Sequence, residues 1–117
     1  MTTDRAKDFG IYLGEVLKGK EALIVISSDM SHYISAEEAS KKDRILISAM
    51  ERLATDELYF KRVQYNITMC GFIPAVVGIE AAKVLGARQG VLIDYTNSGE
   101  VTGDHERVVA YAGMVFV

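Results

Sequence analysis

Glu21-Ala-Leu-Ile-Val-Ile-Ser27 is a continuous apolar run centred on three β-branched residues, and it opens directly into Ser28-Asp-Met-Ser-His-Tyr33. A run without polar alternation reads as a buried strand covered on both faces, the kind found at the centre of layered α/β sheets. The polar stretch that follows then lies just past the C-terminal end of that strand. Ligand sites in open α/β sheets gather at such ends. This pair of segments decides the reading of the fold, and the rest of the chain is arranged around it.

Upstream, Ala6, Phe9, Leu13, Val16 and Leu17 recur at helical spacing, which predicts an amphipathic helix over residues 4–18 with those side chains inward. Gly10 and Gly14 weaken that helix, and Gly19 is placed to stop it. Downstream, Ser35 and Glu38 form a capping box. They start a helix whose inward stripe is Ala39, Leu46, Met50 and Leu53. Thr55 reads as the cap of the next helix, with Asp56 and Glu57 in its first turn. Residues 66–73 form a short connection. Pro74 sits in the first turn of a helix running to Leu85, ended by Gly86 and apolar nearly all round.

Gly90 to Thr96 reads as a strand, Asn97-Ser98-Gly99-Glu100 as a turn, and Val108 to Val117 as a final strand. The two strands are either antiparallel neighbours or each paired elsewhere. The order α-β-α-α-α-β-β predicts one α/β layered domain over residues 1–117, with a short mixed β-sheet flanked by helices.

The bulk properties narrow the function. The chain has 117 residues, a net charge of −3 and one cysteine. No Lys/Arg run is long enough to track phosphates, which argues against nucleic acid. A single cysteine excludes an internal disulfide, so a reducing, cytoplasmic setting is expected. No apolar stretch is long enough to span a bilayer, so no membrane association is expected. A mean hydropathy of +0.14 is high for a chain this short, which predicts a partner surface: a homo-oligomer or a complementary polypeptide.

Three segments carry side chains capable of chemistry. Asp29 and His32 can ligate a metal, work as an acid–base pair, or orient one another. The same two residues can equally serve as a local loop pair. Cys70 precedes a predicted helix N-terminus, where helix amides stabilise a thiolate able to bind a metal or attack an electrophile. A lone cysteine is more often a small buried hydrophobe. Asn97 to Asp104 matches no phosphate-binding fingerprint and reads as a connection, with His105 in solvent.

Taken together, three blocks resemble the Memo family. They are Ile24-Val-Ile-Ser-Ser-Asp-Met-Ser-His-Tyr33 with Glu37-Glu38-Ala39 and Lys42-Asp43; Cys70-Gly71-x-x-Pro74 with the alanine-rich helix after it; and Tyr95-x-x-Ser98-Gly-Glu-Val-Thr-Gly-Asp104 with Arg107-Val-Val-Ala-Tyr-Ala112. The family is similar in fold to class III extradiol dioxygenases, which use non-haem iron, and the resemblance covers its C-terminal half. It implies Cys70 as a metal ligand, His32 as a pocket residue that ligates or transfers protons, and Asp29 as an orienting or ligating carboxylate. It also implies a transition metal (iron, copper or zinc), an unidentified small-molecule substrate, and dioxygenase-like or redox chemistry. Family members are about twice this long, and the two metal histidines of their N-terminal half have no counterpart among His32 and His105. The resemblance therefore implies an incomplete site within this chain, with a non-catalytic interaction module as the alternative role.

Overall fold

The computed structural model describes all of residues 1–117. Eight elements follow in order: α1 (Thr3–Leu17), β1 (His32–Ile34), α2 (Ala36–Glu51), α3 (Thr55–Gln64), α4 (Phe72–Val84), β2 (Gly90–Asn97), the single-turn α5 (Gly99–Thr102) and β3 (Val108–Phe116). The sheet has three strands in the order β1-β3-β2, and both pairings are antiparallel. The α/β class is therefore as expected, but the sheet is not mixed. The last two strands are direct neighbours, with Gly90 opposite Phe116 and Asn97 opposite Ala110. The expected turn at Asn97–Glu100 winds into the short helix α5.

The principal correction concerns Glu21–Ser27, which joins no sheet. None of its seven residues makes a backbone hydrogen bond within the chain. Its side chains nonetheless alternate as in a strand. Ile24 and Ile26 are half-buried, while Leu23 and Val25 are 88% and 78% exposed. The inner pair lies on α4 at Gly78, where a Cβ would come within 2.7 Å of Ile26 Cγ1. The apolar run predicts cover on both faces, and one face is covered.

α1 forms over nearly the predicted residues but presents a different face. Ala6, Gly10 and Gly14 are buried, while Phe9 and Val16 are exposed. The glycines are the contact surface. A Cβ on Gly10 would stand 2.5 Å from the Val77 carbonyl oxygen, and one on Gly14 would stand 2.6 Å from Val84 Cβ. Hydrophobic periodicity cannot detect a seam made of missing side chains.

α2 follows the sequence closely. Ser35 caps it by accepting from the Glu38 N–H at 3.1 Å, and Ala39, Leu46, Met50 and Leu53 are all buried. Thr55 is not a cap. It is the first residue of α3, and its hydroxyl donates to the buried Glu80 carboxylate at 2.6 Å. Lys83 also reaches Glu80, at 3.2 Å. α4 is covered on more than one side, as its all-round apolar surface predicts, and Gly71 stands at its N-cap position. The core gathers Leu46, Leu58, Val76, Ile79 and Val108 between the helices and the inner end of the sheet.

Candidate metal centre

The site is built where two loops are fastened together. Ser28 is the hub of the fastening. Its hydroxyl donates to the Asp29 carbonyl at 2.8 Å and accepts from the Gly71 N–H at 2.8 Å. Only a glycine fits at 71, because a Cβ there would lie 2.7 Å from the Ser27 carbonyl oxygen and would strike the Ser28 side chain. A second tie joins the His32 N–H to Thr68 Oγ1 at 2.9 Å. The loop that ends the unpaired segment is thus docked onto the loop that starts α4.

This docking brings together the three residues singled out in the sequence. One ligand atom each from Asp29, His32 and Cys70 lies within 4.8 Å of the others. His32 Nε2 stands 3.3 Å from Asp29 Oδ2. Cys70 is exposed, and its Sγ is 3.8 Å from Ser28 Oγ. His105 takes no part. It is exposed on the α5–β3 loop, and its backbone carbonyl accepts from the Ala36 N–H.

The three donors fit one transition-metal ion. Ligand bonds of about 2.0–2.3 Å place donor atoms roughly 3.3–4.5 Å apart, so the observed spread closes with rotamer-scale movement. Mixed sulfur, nitrogen and oxygen donors suit iron, copper or zinc and are ill-suited to magnesium or calcium. Three protein ligands leave coordination positions for water, substrate or a further ligand.

Behind the ligands lies a polar network, centred on a buried carboxylate, that no motif in the sequence announces. Asp43 is fully buried on the inward face of α2. It accepts from the Ser31 N–H at 3.1 Å, the Ser31 hydroxyl at 2.7 Å and the Tyr95 hydroxyl at 2.5 Å. Burial, and then the bond to Asp43, push the Tyr95 phenol far above its ordinary range, so it stays a protonated donor. Ser31 sits between Asp29 and His32, so this carboxylate fixes the backbone that carries both. A signal existed in the sequence: Asp43 falls between Ala39 and Leu46 on the apolar stripe, a register where a carboxylate needs partners. Beside His32, Tyr33 holds a left-handed φ of 59° at the irregular junction of β1 and β3, and Arg107 lies over its ring at 5.4 Å.

A separate cleft beside the site does not contain the ligands. It is an open, mainly apolar groove of about 530 Å³, running between Ala22–Ile26, α4 and the end of β3. Ser28 lines it and also belongs to the ligand loop, so the groove adjoins the ligand group.

A compact α/β fold with an Asp/His/Cys ligand group docked at a helix N-terminus defines a candidate metal-binding domain. The chain matches the Memo-like protein family over residues 1–115 and belongs to that family. It is 74% identical over 112 residues to a MEMO1 family protein of Aquifex aeolicus, covering 96% of this chain and 42% of that protein. A MEMO1 family protein of Methanococcus vannielii is 40% identical over 114 residues, covering 96% of this chain and 40% of the relative. One from Methanocaldococcus jannaschii is 38% identical over 114 residues, with the same shares covered. The chain thus spans about two fifths of the length of the curated relatives it matches. No helix is long and apolar enough to cross a membrane.

Proposed function

We propose that this chain is the metal-ligating part of a Memo-like protein, binding one transition metal through Cys70, His32 and Asp29. The observation that carries this reading is the convergence of the three ligand atoms within 4.8 Å, from loops some forty residues apart in sequence. Bound iron or copper would supply Lewis acidity and one-electron redox capacity, the basis of dioxygenase-like or oxidoreductase chemistry on a small molecule.

The chain's own residues have separable roles. Cys70 would hold the ion from the loop that starts α4. Asp29 and His32 approach from the other loop and hold each other's orientation through the 3.3 Å contact. Asp43 and Ser31 position that second loop. His32, with Nε2 facing the Asp29 carboxylate, is also the group of the three best suited to hold or move a proton.

Elemental analysis of the purified, tag-free chain tests the assignment. Near-stoichiometric iron, copper or zinc is expected. Cys70→Ser is expected to lower occupancy at least roughly tenfold, since a hydroxyl is a far weaker ligand than a thiolate for these ions. With metal stripped from both, the variant and the wild type should unfold at the same temperature, because the Cys70 side chain is exposed. Metal-free wild-type protein after incubation with each ion, or equal occupancy in the variant, would overturn the proposal.

A further inference from the structure

We infer that Glu21–Ser27 is a docking strand, and that its occupant is the polypeptide carrying the part of the Memo-like fold that this chain does not span. Three observations meet at this segment. The first is its backbone: seven residues run extended with no N–H or C=O bonded within the chain. In a β-branched run with strand-like alternation, that is an open sheet edge.

The second observation is the opposing edge. β3 pairs along one side with β2 from Gly90 to Asn97. On its other side it meets β1 at Val108 and Val109, and Met30 and Ser31 bond to Ala110. Beyond Ala110 that side of β3 has no partner. The two open edges meet near Met30 and Ala110 and enclose the apolar groove, whose walls include Ile24, Ile26, Met114 and Phe116. A groove bounded by two unpaired edges fits an inserted β-strand with apolar side chains, the β-augmentation mode of recognition.

The third observation selects the occupant. The chain covers 42% of its Aquifex aeolicus relative and 40% of its Methanococcus vannielii relative. In those proteins a larger polypeptide accompanies the matched segment. The outer face of Glu21–Ser27, with Leu23 and Val25 in solvent, is where such a polypeptide finds apolar surface without displacing any contact already made. The segment leads straight into Ser28 and Asp29, so an occupant there lies beside the ligand group and is positioned to complete its coordination. A second copy of this chain would bring two ligand groups and duplicate the same open edge. The inference is independent of metal uptake, because it concerns the backbone and outer face of residues 21–27.

The test is co-expression of this chain with the unmatched remainder of the Aquifex aeolicus relative, read by native mass and by amide hydrogen exchange. A one-to-one complex is expected, with amides 22–27 slowed at least roughly 100-fold relative to the chain alone. Leu23→Lys with Val25→Lys is expected to weaken the complex by roughly 100-fold or more. The same pair should leave the unfolding temperature of the chain alone unchanged, since both side chains are in solvent. Four results would overturn the inference: a remainder that stays insoluble or unbound beside the chain; a complex in which amides 22–27 still exchange freely; protection of these amides in a dimer of this chain, which assigns the edge to a second copy; or their protection in the monomer, which means the edge closes on β3. Metal content, measured on the same samples, separates failure here from failure of the metal assignment.

Discussion

Two segments lie against α4, and they are held in opposite ways. α1 is fastened along its length: its backbone is internally bonded, its glycines meet α4 backbone directly, and Lys7 reaches Asp56 at 2.9 Å. Glu21–Ser27 touches α4 through Ile24 and Ile26 with no backbone bond. Yet it is the second segment that reads, residue by residue, as core, with Leu-Ile-Val-Ile at its centre. Apolar composition records what a segment is built to be buried in, which includes surfaces outside the chain. Fastening records what the chain buries alone.

The unfastened stretch ends at Ser28, and the largest predicted effect comes from moving that boundary. Asp43→Ala leaves three donors without their acceptor, two buried on Ser31 and one part-buried on Tyr95. Each unpaired group costs about 1–3 kcal/mol, so a loss of about 3 kcal/mol or more in urea denaturation is expected. Amide exchange at residues 29–33 should rise with it, and metal affinity should fall because Asp29 and His32 lose their shared platform. Asp43→Asn, which keeps one acceptor and the shape, should recover part of both. Unchanged metal affinity in Asp43→Asn and Asp43→Ala alike would show that the ligand loop needs no support from α2.

The next effect probes the fastened side. Gly10→Ala places a methyl 2.5 Å from the Val77 carbonyl oxygen and 2.8 Å from Glu80 Cβ. Backbone cannot swing aside, so the helices must separate. Overpacking of this kind costs about 1–3 kcal/mol, and more where backbone is struck. Alanine recovers about 1 kcal/mol of helix propensity. A net loss of about 2 kcal/mol is expected, visible as a lower unfolding temperature. A neutral result would mean that α1 is held far more loosely than its geometry implies.

What could be read in advance divides along the same line. The α2 stripe, the Ser35 cap, the β2 and β3 strands and the position of Cys70 just ahead of α4 follow from local pattern, and all lie where the chain satisfies itself. Asp29, His32 and Cys70 stand out by residue chemistry and family resemblance, and their mutual proximity follows from tertiary ties through Ser28, Thr68 and Gly71. Asp43 lies on the apolar stripe of α2, yet a lone acid on a helix usually faces water, so its burial does not follow from its position alone. The buried face of α1 does not follow from periodicity, because glycine seams carry no hydrophobic signal. The apolar run at 21–27 predicts a strand, and the segment joins no sheet. Local order was legible, and contacts set by absent side chains were not.

The smallest effect gives the most direct comparison of the two segments. Gly78→Ala also creates a steric overlap, with Ile26 Cδ1 and Cγ1 as the atoms met. These are the far end of a side chain on a segment with no backbone bonds, so Ile26 can withdraw at little cost. Alanine again recovers about 1 kcal/mol of helix propensity. The expected net change in the chain alone is within about 1 kcal/mol of zero, although the overlap is at least as severe as that at Gly10. A loss equal to that of Gly10→Ala would show that Glu21–Ser27 is as firmly held as α1. In the complex with the remainder of the fold, where Ile26 would be pinned in a completed sheet, Gly78→Ala should become clearly destabilising. That dependence on the partner separates a strand awaiting its sheet from a loop that is merely extended.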